Sequence, residues 1–326
     1  MTPLLEIVNF STHYVGARGT RVTRAVDDVS LSLEAGETLG IVGESGSGKT
    51  TLALSILRLL PPAARVVSGE IRFEGENLLD KSPVQMRRIR GKRIAMILQD
   101  PMASLNPLFS IGDQVSEPLR VHEGLGRRTA WARARDLLRS VRIPAPETRV
   151  REFPHQMSGG MRQRIVGAIG ISCEPRLLIA DEPTTSLDLT IKAQYLNLLR
   201  ELQTEHHLAL IFITHNLGIV AKMCDLVAVM YAGRLVESGS VQHIFSAPAH
   251  PYTRALLESI PRMSDGRDRL TAIEGQPPDP AALPPGCAFH PRCAAVRDRC
   301  RVEAPPEIPV AAGQTTRCWL HVPGAH

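Results

Sequence analysis

From residue 38 onward the chain alternates short apolar runs with stretches whose apolar residues recur at helical spacing. Residues 38–42, 93–98, 177–180, 208–213 and 226–230 are β-rich and apolar, whereas 51–60, 189–202 and 217–223 carry helical patterns. Uninterrupted apolar strands between helices predict a parallel sheet covered on both faces, an α/β architecture. Residues 105–170 break this rhythm with helical, Arg-rich sequence and are expected to form an inserted helical subdomain. The first 35 residues and residues 226–237 have shorter strand patterns, those of small antiparallel hairpins.

The pattern changes again near the end. Of the 25 prolines, 9 lie between Pro277 and Pro309, a density that excludes long helices and central strands. A boundary is therefore expected between Pro261 and Gly275, separating a domain of residues 1–262 from a Pro- and Cys-rich extension of residues 263–326. A length of 326 residues suits about two such units.

Charge and cysteine content narrow the classes. Lys and Arg number 38 against 33 Asp and Glu, a net charge of +5 with no basic block. Arg127, Arg128, Arg133, Arg135 and Arg139 cluster on one helical stretch, which reads first as a solvated helix face rather than a nucleic-acid patch. No apolar run reaches the ~18 residues of a membrane span, and Met1 to Phe10 lacks the basic-then-apolar order of an export signal. Six cysteines are too few for a disulfide framework, so a reducing compartment is expected.

Two motifs carry chemistry. Gly43, Glu44, Ser45, Gly46, Ser47, Gly48, Lys49 and Thr50 fit the phosphate-loop pattern, between an expected strand and an expected helix. The glycines let backbone N–H groups curl around phosphate oxygens, Lys49 adds charge at the β/γ-phosphates, and the Thr50 hydroxyl suits Mg²⁺. Downstream, the apolar run 177–180 delivers Asp181 and Glu182 to the carboxyl edge of the sheet, where open α/β sheets bind ligands. Asp181 suits Mg²⁺ and Glu182 the attacking water of phosphoryl transfer. Ser158, Gly159 and Gly160 open a further helix, a weaker anion-binding signal.

These motifs, together with Gln99, the RQR that follows MSGGM, LLIADEP, TTSLD and His215 after a strand, occur in one order that resembles the nucleotide-binding subunits of ABC transporters. QDPMASLNP (Gln99 to Pro107) and HPYTRALL (His250 to Leu257) narrow the resemblance to the oligopeptide/dipeptide importer ATPases, and GCAFHPRC with the later RCW looks like that group's C-terminal extension. The resemblance implies a phosphate-loop ABC ATPase core that hydrolyses ATP with Mg²⁺. Two cassettes would meet head to tail, with ATP between one phosphate loop, Thr51 included, and the partner's Ser158–Gly159–Gly160. It implies Tyr14 against adenine, Gln99 at Mg²⁺ and water, His215 at the γ-phosphate and Asp188 facing the partner. In the signature segment Met157 and Met161 stand where the wider family has Leu and Gln.

It also implies two permease subunits, a second and different ATPase subunit, a solute-binding protein, a place on the cytoplasmic membrane face and no nucleic acid. Peptides are the expected solute, with nickel or glutathione as alternatives. A soluble ABC ATPase acting on DNA or ribosomes is the competing class, and it usually shows long coiled coils or two cassettes, which are absent here. Finally, Cys287, Cys293, Cys300 and Cys318 lie in the Pro-rich tail. Zinc sites favour closer cysteine pairs. The resemblance ranks a [4Fe–4S] cluster first, with Zn²⁺ and free thiols behind it, while Cys173 and Cys224 read as buried small hydrophobes.

Overall fold

The computed structural model describes residues 2–16, 21–185, 187–260 and 273–323. The expected boundary after residue 262 lies outside the described residues. The chain divides into two compact units, one of Met1–Glu34, Thr38–Leu79 and Ile213–His326, the other of Ala35–Glu37 and Asp80–Phe212. Among the described residues no helix is long and apolar enough to cross a membrane.

The first unit contains two groups of strands. Leu5–Val15 pairs antiparallel with Val22–Leu33 on one side and Ala64–Phe73 on the other. Leu5, Ile7 and Phe10 are buried, and the inward set changes phase at Asn9, which has φ 44°. Register shifts fall there on both neighbouring strands, and Gly69 passes so close that a Cβ would lie 2.5 Å from the Asn9 carbonyl oxygen. In the second group Thr38–Val42, buried at every position, pairs parallel with Leu226–Tyr231, and Arg234–Ser240 follows antiparallel. Both hairpin expectations and the strand expectations at 38–42 and 226–230 match these elements.

The C-terminal segment belongs to the same unit. Gln314–Thr316 adds to Arg234–Ser240 through Glu237 and Ser238, and Ile308–Ala311 adds beyond it. Proline density keeps both strands short. Buried Glu237 ties this edge together, its carboxylate accepting from the N–H groups of Ala249 and His250 and from Gln314 Nε2, each at 2.8 Å.

In the second unit Ile94–Ile97 and Leu177–Asp181 pair in parallel with Ala209–Ile213 beyond them, all strongly apolar. Between the first two strands lie the helices Ile111–Glu123, Arg127–Ser140 and Gly159–Ile171. Ser110 caps the first through the Asp113 N–H, and Gly124 ends it in the left-handed conformation. Ile111, Val115 and Leu119 on the first helix and Ala130, Ala134 and Leu138 on the second are buried at helical spacing. The Arg-rich face of the second is ion-paired to acids of its own unit, Arg139 with Asp136 and Glu147 and Arg133 with Glu174.

Candidate nucleotide-binding and catalytic site

The phosphate loop leaves the buried strand Thr38–Val42 and runs into the helix Lys49–Ile56. Gly43, Gly46 and Gly48 have φ of 151°, 78° and 104°, in the range that favours glycine. At Gly43 a Cβ would fall 2.1 Å from the Met230 carbonyl oxygen, and at Gly48 the same distance from that of Ala25. Gly48 is the residue before the helix and no side chain caps it, so the first helical N–H groups face the loop's concave side. The Lys49 ammonium is held there, buried, by the Gly43 and Glu44 carbonyls at 2.8 Å each and by Ser47 Oγ at 3.3 Å. Such a loop offers a fixed positive concavity suited to a phosphate chain.

Two further expected residues lie in this unit. The Tyr14 hydroxyl is 3.4 Å from Thr51 Oγ1, which places the ring beside the start of the loop's helix. His215 follows the buried strand Ala209–Ile213 and is exposed, with the preceding Thr214 N–H bonded to the Ile41 carbonyl.

The other unit holds the carboxylates. Asp181 is the buried last residue of its strand, and Glu182 follows with φ 44°. Its Oε2 accepts from Gln99 Nε2 at 3.1 Å and from Thr185 Oγ1 at 3.0 Å. Gln99 and Glu182, 83 residues apart, are thus joined directly, an arrangement able to hold a water or metal-bound oxygen in line with a carboxylate. Hard oxygen donors such as Thr50 and Asp181 suit Mg²⁺.

Ser158 caps the helix Gly159–Ile171 by accepting from the Met161 N–H. Ser158, Gly159, Gly160, Arg164 and Asp188 line one open pocket of about 650 Å³. Asp188 is itself a helix cap, its Oδ1 accepting from Thr190 and Ile191 N–H groups. Arg164, absent from the sequence-based set, donates to the Arg142 carbonyl and Gln194 Oε1 beside this pocket.

In the tail, Cys287, Cys293, Cys300 and Cys318 border one cavity of about 10 Å³, closed by Phe289 and Trp319. Burial pushes the Cys287 and Cys318 thiols up to about 11 and raises that of Cys293 as well, the direction that keeps them protonated. Among the described residues no group of three or more His, Cys, Asp or Glu side chains is spaced to hold a metal ion. The four cysteines nevertheless border this one cavity. Cys173 is buried as expected, and burial pushes the partly exposed Cys224 up to about 12.

Residues 26–185 match the ABC transporter family, and residues 236–300 match the family described as oligopeptide/dipeptide transporter, C-terminal region. The chain is similar to a probable peptide ABC transporter ATP-binding protein of Sinorhizobium fredii, 48% identical over 97% of this chain and 94% of that one. It is also similar to the dipeptide transport ATP-binding protein DppD of Escherichia coli, 45% identical over 97% of this chain and 96% of that one. Its fold resembles that of a dimeric ATP-binding cassette in a post-hydrolysis state with ADP and phosphate, with a TM-score of 0.65 over 73% of this chain and 98% of that one at 23% identity. Phosphate loop, carboxylate strand, signature helix and C-terminal region thus all fall where these relatives match, and the chain belongs to the ABC transporter family as an ATP-hydrolysing subunit of its oligopeptide/dipeptide branch.

Proposed function

We propose that this chain energises the uptake of di- and oligopeptides, working on the cytoplasmic face of the membrane with two permease subunits, a second and different ATPase subunit and a solute-binding protein. The observation that carries the peptide reading is the match of residues 236–300 to the oligopeptide/dipeptide C-terminal family. Exposed apolar side chains around the Gln99 segment support docking on a membrane protein, with Met102 54%, Leu108 82% and Phe109 54% exposed in one short stretch.

In this reading Gly43 to Thr51 would cradle the triphosphate, with the Lys49 ammonium against the β/γ-phosphates and Tyr14 against the base. Thr50, Asp181 and Gln99 would hold Mg²⁺, which when bound would neutralise charge on the transferred phosphoryl group. Glu182 orients the attacking water, a task to which its bond with Gln99 is suited, and His215 contacts the γ-phosphate. The Ser158–Gly160 helix start meets the ATP held by a partner cassette, so that ATP closes the pair and hydrolysis releases it.

The test is to capture the Glu182→Gln chain with ATP and Mg²⁺ from membranes solubilised in mild detergent and to identify its companions by mass spectrometry. Two permeases and a second ATPase are expected, and recovery with ribosomes or DNA-repair factors instead would overturn the reading. A separate proposal concerns the tail: Cys287, Cys293, Cys300 and Cys318 would hold a [4Fe–4S] cluster, with Zn²⁺ as the alternative occupant. Its support is the convergence of four cysteines on one pocket. Acid-labile sulfide in anaerobically purified protein is the expected result, and colourless, iron-free protein from iron-replete cells rejects it.

A further inference from the structure

Glu44, the second residue of the phosphate loop, is held twice by segments far downstream. Its N–H donates to the Tyr252 hydroxyl at 2.9 Å. Its carboxylate accepts both arms of the Arg292 guanidinium, at 2.7 Å and 3.0 Å, across 248 residues of sequence. Arg292 stands in the GCAFHPRC segment of the tail, and its side chain is 3% exposed.

The rest of the guanidinium is also committed. Nε donates to the Glu274 carbonyl at 2.9 Å, Nη2 to that of Ile273 at 3.3 Å, and Nη1 to the Tyr231 hydroxyl at 3.3 Å. Its carbon lies 5.9 Å from the Tyr231 ring centre and 6.0 Å from that of Phe289. Tyr231, Tyr252 and Phe289 pack together with ring centres 4.6 to 5.3 Å apart. A planar fork fixed on every side is a rigid support for one carboxylate, and a lysine cannot reproduce it.

What Glu44 does with that support is visible one bond further on. Its carbonyl accepts from Lys49 Nζ at 2.8 Å. Arg292 is therefore two bonded steps from the ammonium that meets phosphate. We infer that Arg292 is a positioning residue for ATP, clamping Glu44 so that the loop backbone and Lys49 are preset for the triphosphate, which makes the C-terminal segment a working part of the nucleotide site.

The inference rests on the reading of the loop as the ATP site, and one titration separates the two. MgATP binding is measured by calorimetry on the full chain as wild type, Arg292→Lys, Glu44→Gln and the double variant, with thermal unfolding recorded for each. Loss of one charge-assisted support predicts about tenfold weaker MgATP binding for each single variant, and the double variant should be no worse than either alone. A staple with no role at the nucleotide would lower the unfolding temperature and leave the affinity of the folded protein within twofold of wild type. That result, or additive losses in the double variant, overturns the inference. Should Arg292→Lys not fold, Glu44→Gln alone decides, because wild-type affinity in it is equally fatal. Wild-type chain that binds no MgATP would instead overturn the ATP-site reading itself.

Discussion

The phosphate loop and the Ser158 helix start are both glycine-rich segments that present backbone N–H groups, yet their glycines answer to different demands. In the loop, Gly43 and Gly48 adopt backbone angles that favour glycine, and a Cβ on either would strike a carbonyl oxygen at 2.1 Å. At the signature helix neither Gly159 nor Gly160 has positive φ; a Cβ on Gly159 meets nothing within 4 Å, and one on Gly160 meets only the Ile191 side chain. Fold geometry explains the first pair. Among the described residues nothing requires glycine at position 159, so packing leaves that helix start open.

The largest expected effect separates chemistry from binding. Glu182→Gln should keep MgATP affinity within about twofold while lowering turnover by ~10²–10⁴-fold, the range for loss of a positioned general base. Steady-state ATPase assay beside calorimetry checks this, and turnover near wild type would remove Glu182 from the role.

Next in size is the loop. Gly48→Ala should cost roughly 3 kcal/mol of stability in urea unfolding, because strain at φ 104° adds to the clash with Ala25. A change below about 0.5 kcal/mol, the range of ordinary surface substitutions, would mean that the loop is not conformationally fixed.

The loop's support also carries a pH dependence. Burial holds the His250 imidazole down at about 3, and His321 nearby acts in the same direction. His250 Nδ1 accepts from the Tyr252 N–H at 3.0 Å, and Tyr252 in turn supports Glu44. Below about 6.5 the unfolded chain takes up a proton on this residue that the folded chain refuses until about 3. Stability is therefore whole above that window and falls through it as pH drops, by ~1.4 kcal/mol per pH unit. Urea titrations between pH 7 and pH 5 should show a shallower loss for His250→Asn, and parallel curves would refute the assignment.

The smallest effect is on folding at the signature helix. Gly159→Ala should change stability by less than about 0.5 kcal/mol, since the added methyl group meets nothing and alanine favours helix. A loss as large as that of Gly48→Ala would erase the contrast between the two glycine sets.

Much of this was legible from residue order. The strands at 38–42 and 177–181 and the helix at 217–223 could be read because apolar runs and helical periodicity are local, and the phosphate loop because its glycines, lysine and threonine are consecutive. The bond between Gln99 and Glu182 was not legible, since the resemblance placed Gln99 only at Mg²⁺ and the attacking water. Arg292 and Tyr252 escaped altogether, although both stand in phrases used to recognise the family. Their meaning depends on a partner, Glu44, more than 200 residues away, and no periodicity reports such a contact. The tail cysteines were legible as a set of four, and they border one cavity, but among the described residues no group of three or more possible ligands is spaced to hold a metal ion.

The most direct test of the central claim, that each ATP is held by one chain's loop and completed by another chain's Ser158 helix, uses Gly159→Asp, which sets a carboxylate where a phosphate would approach. MgATP binding is measured on the isolated chain, and ATP turnover on the assembled transporter in which this chain also carries Glu182→Gln, so that only the site on the partner's loop turns over. The account predicts affinity of this chain within about twofold of wild type and, because Ser158–Gly160 completes only the site on the partner's loop, a further loss of turnover of ~10²-fold or more in that background, the order for removing a group that stabilises transition-state charge. Monomer affinity that collapses, or assembled turnover that survives intact, would contradict it.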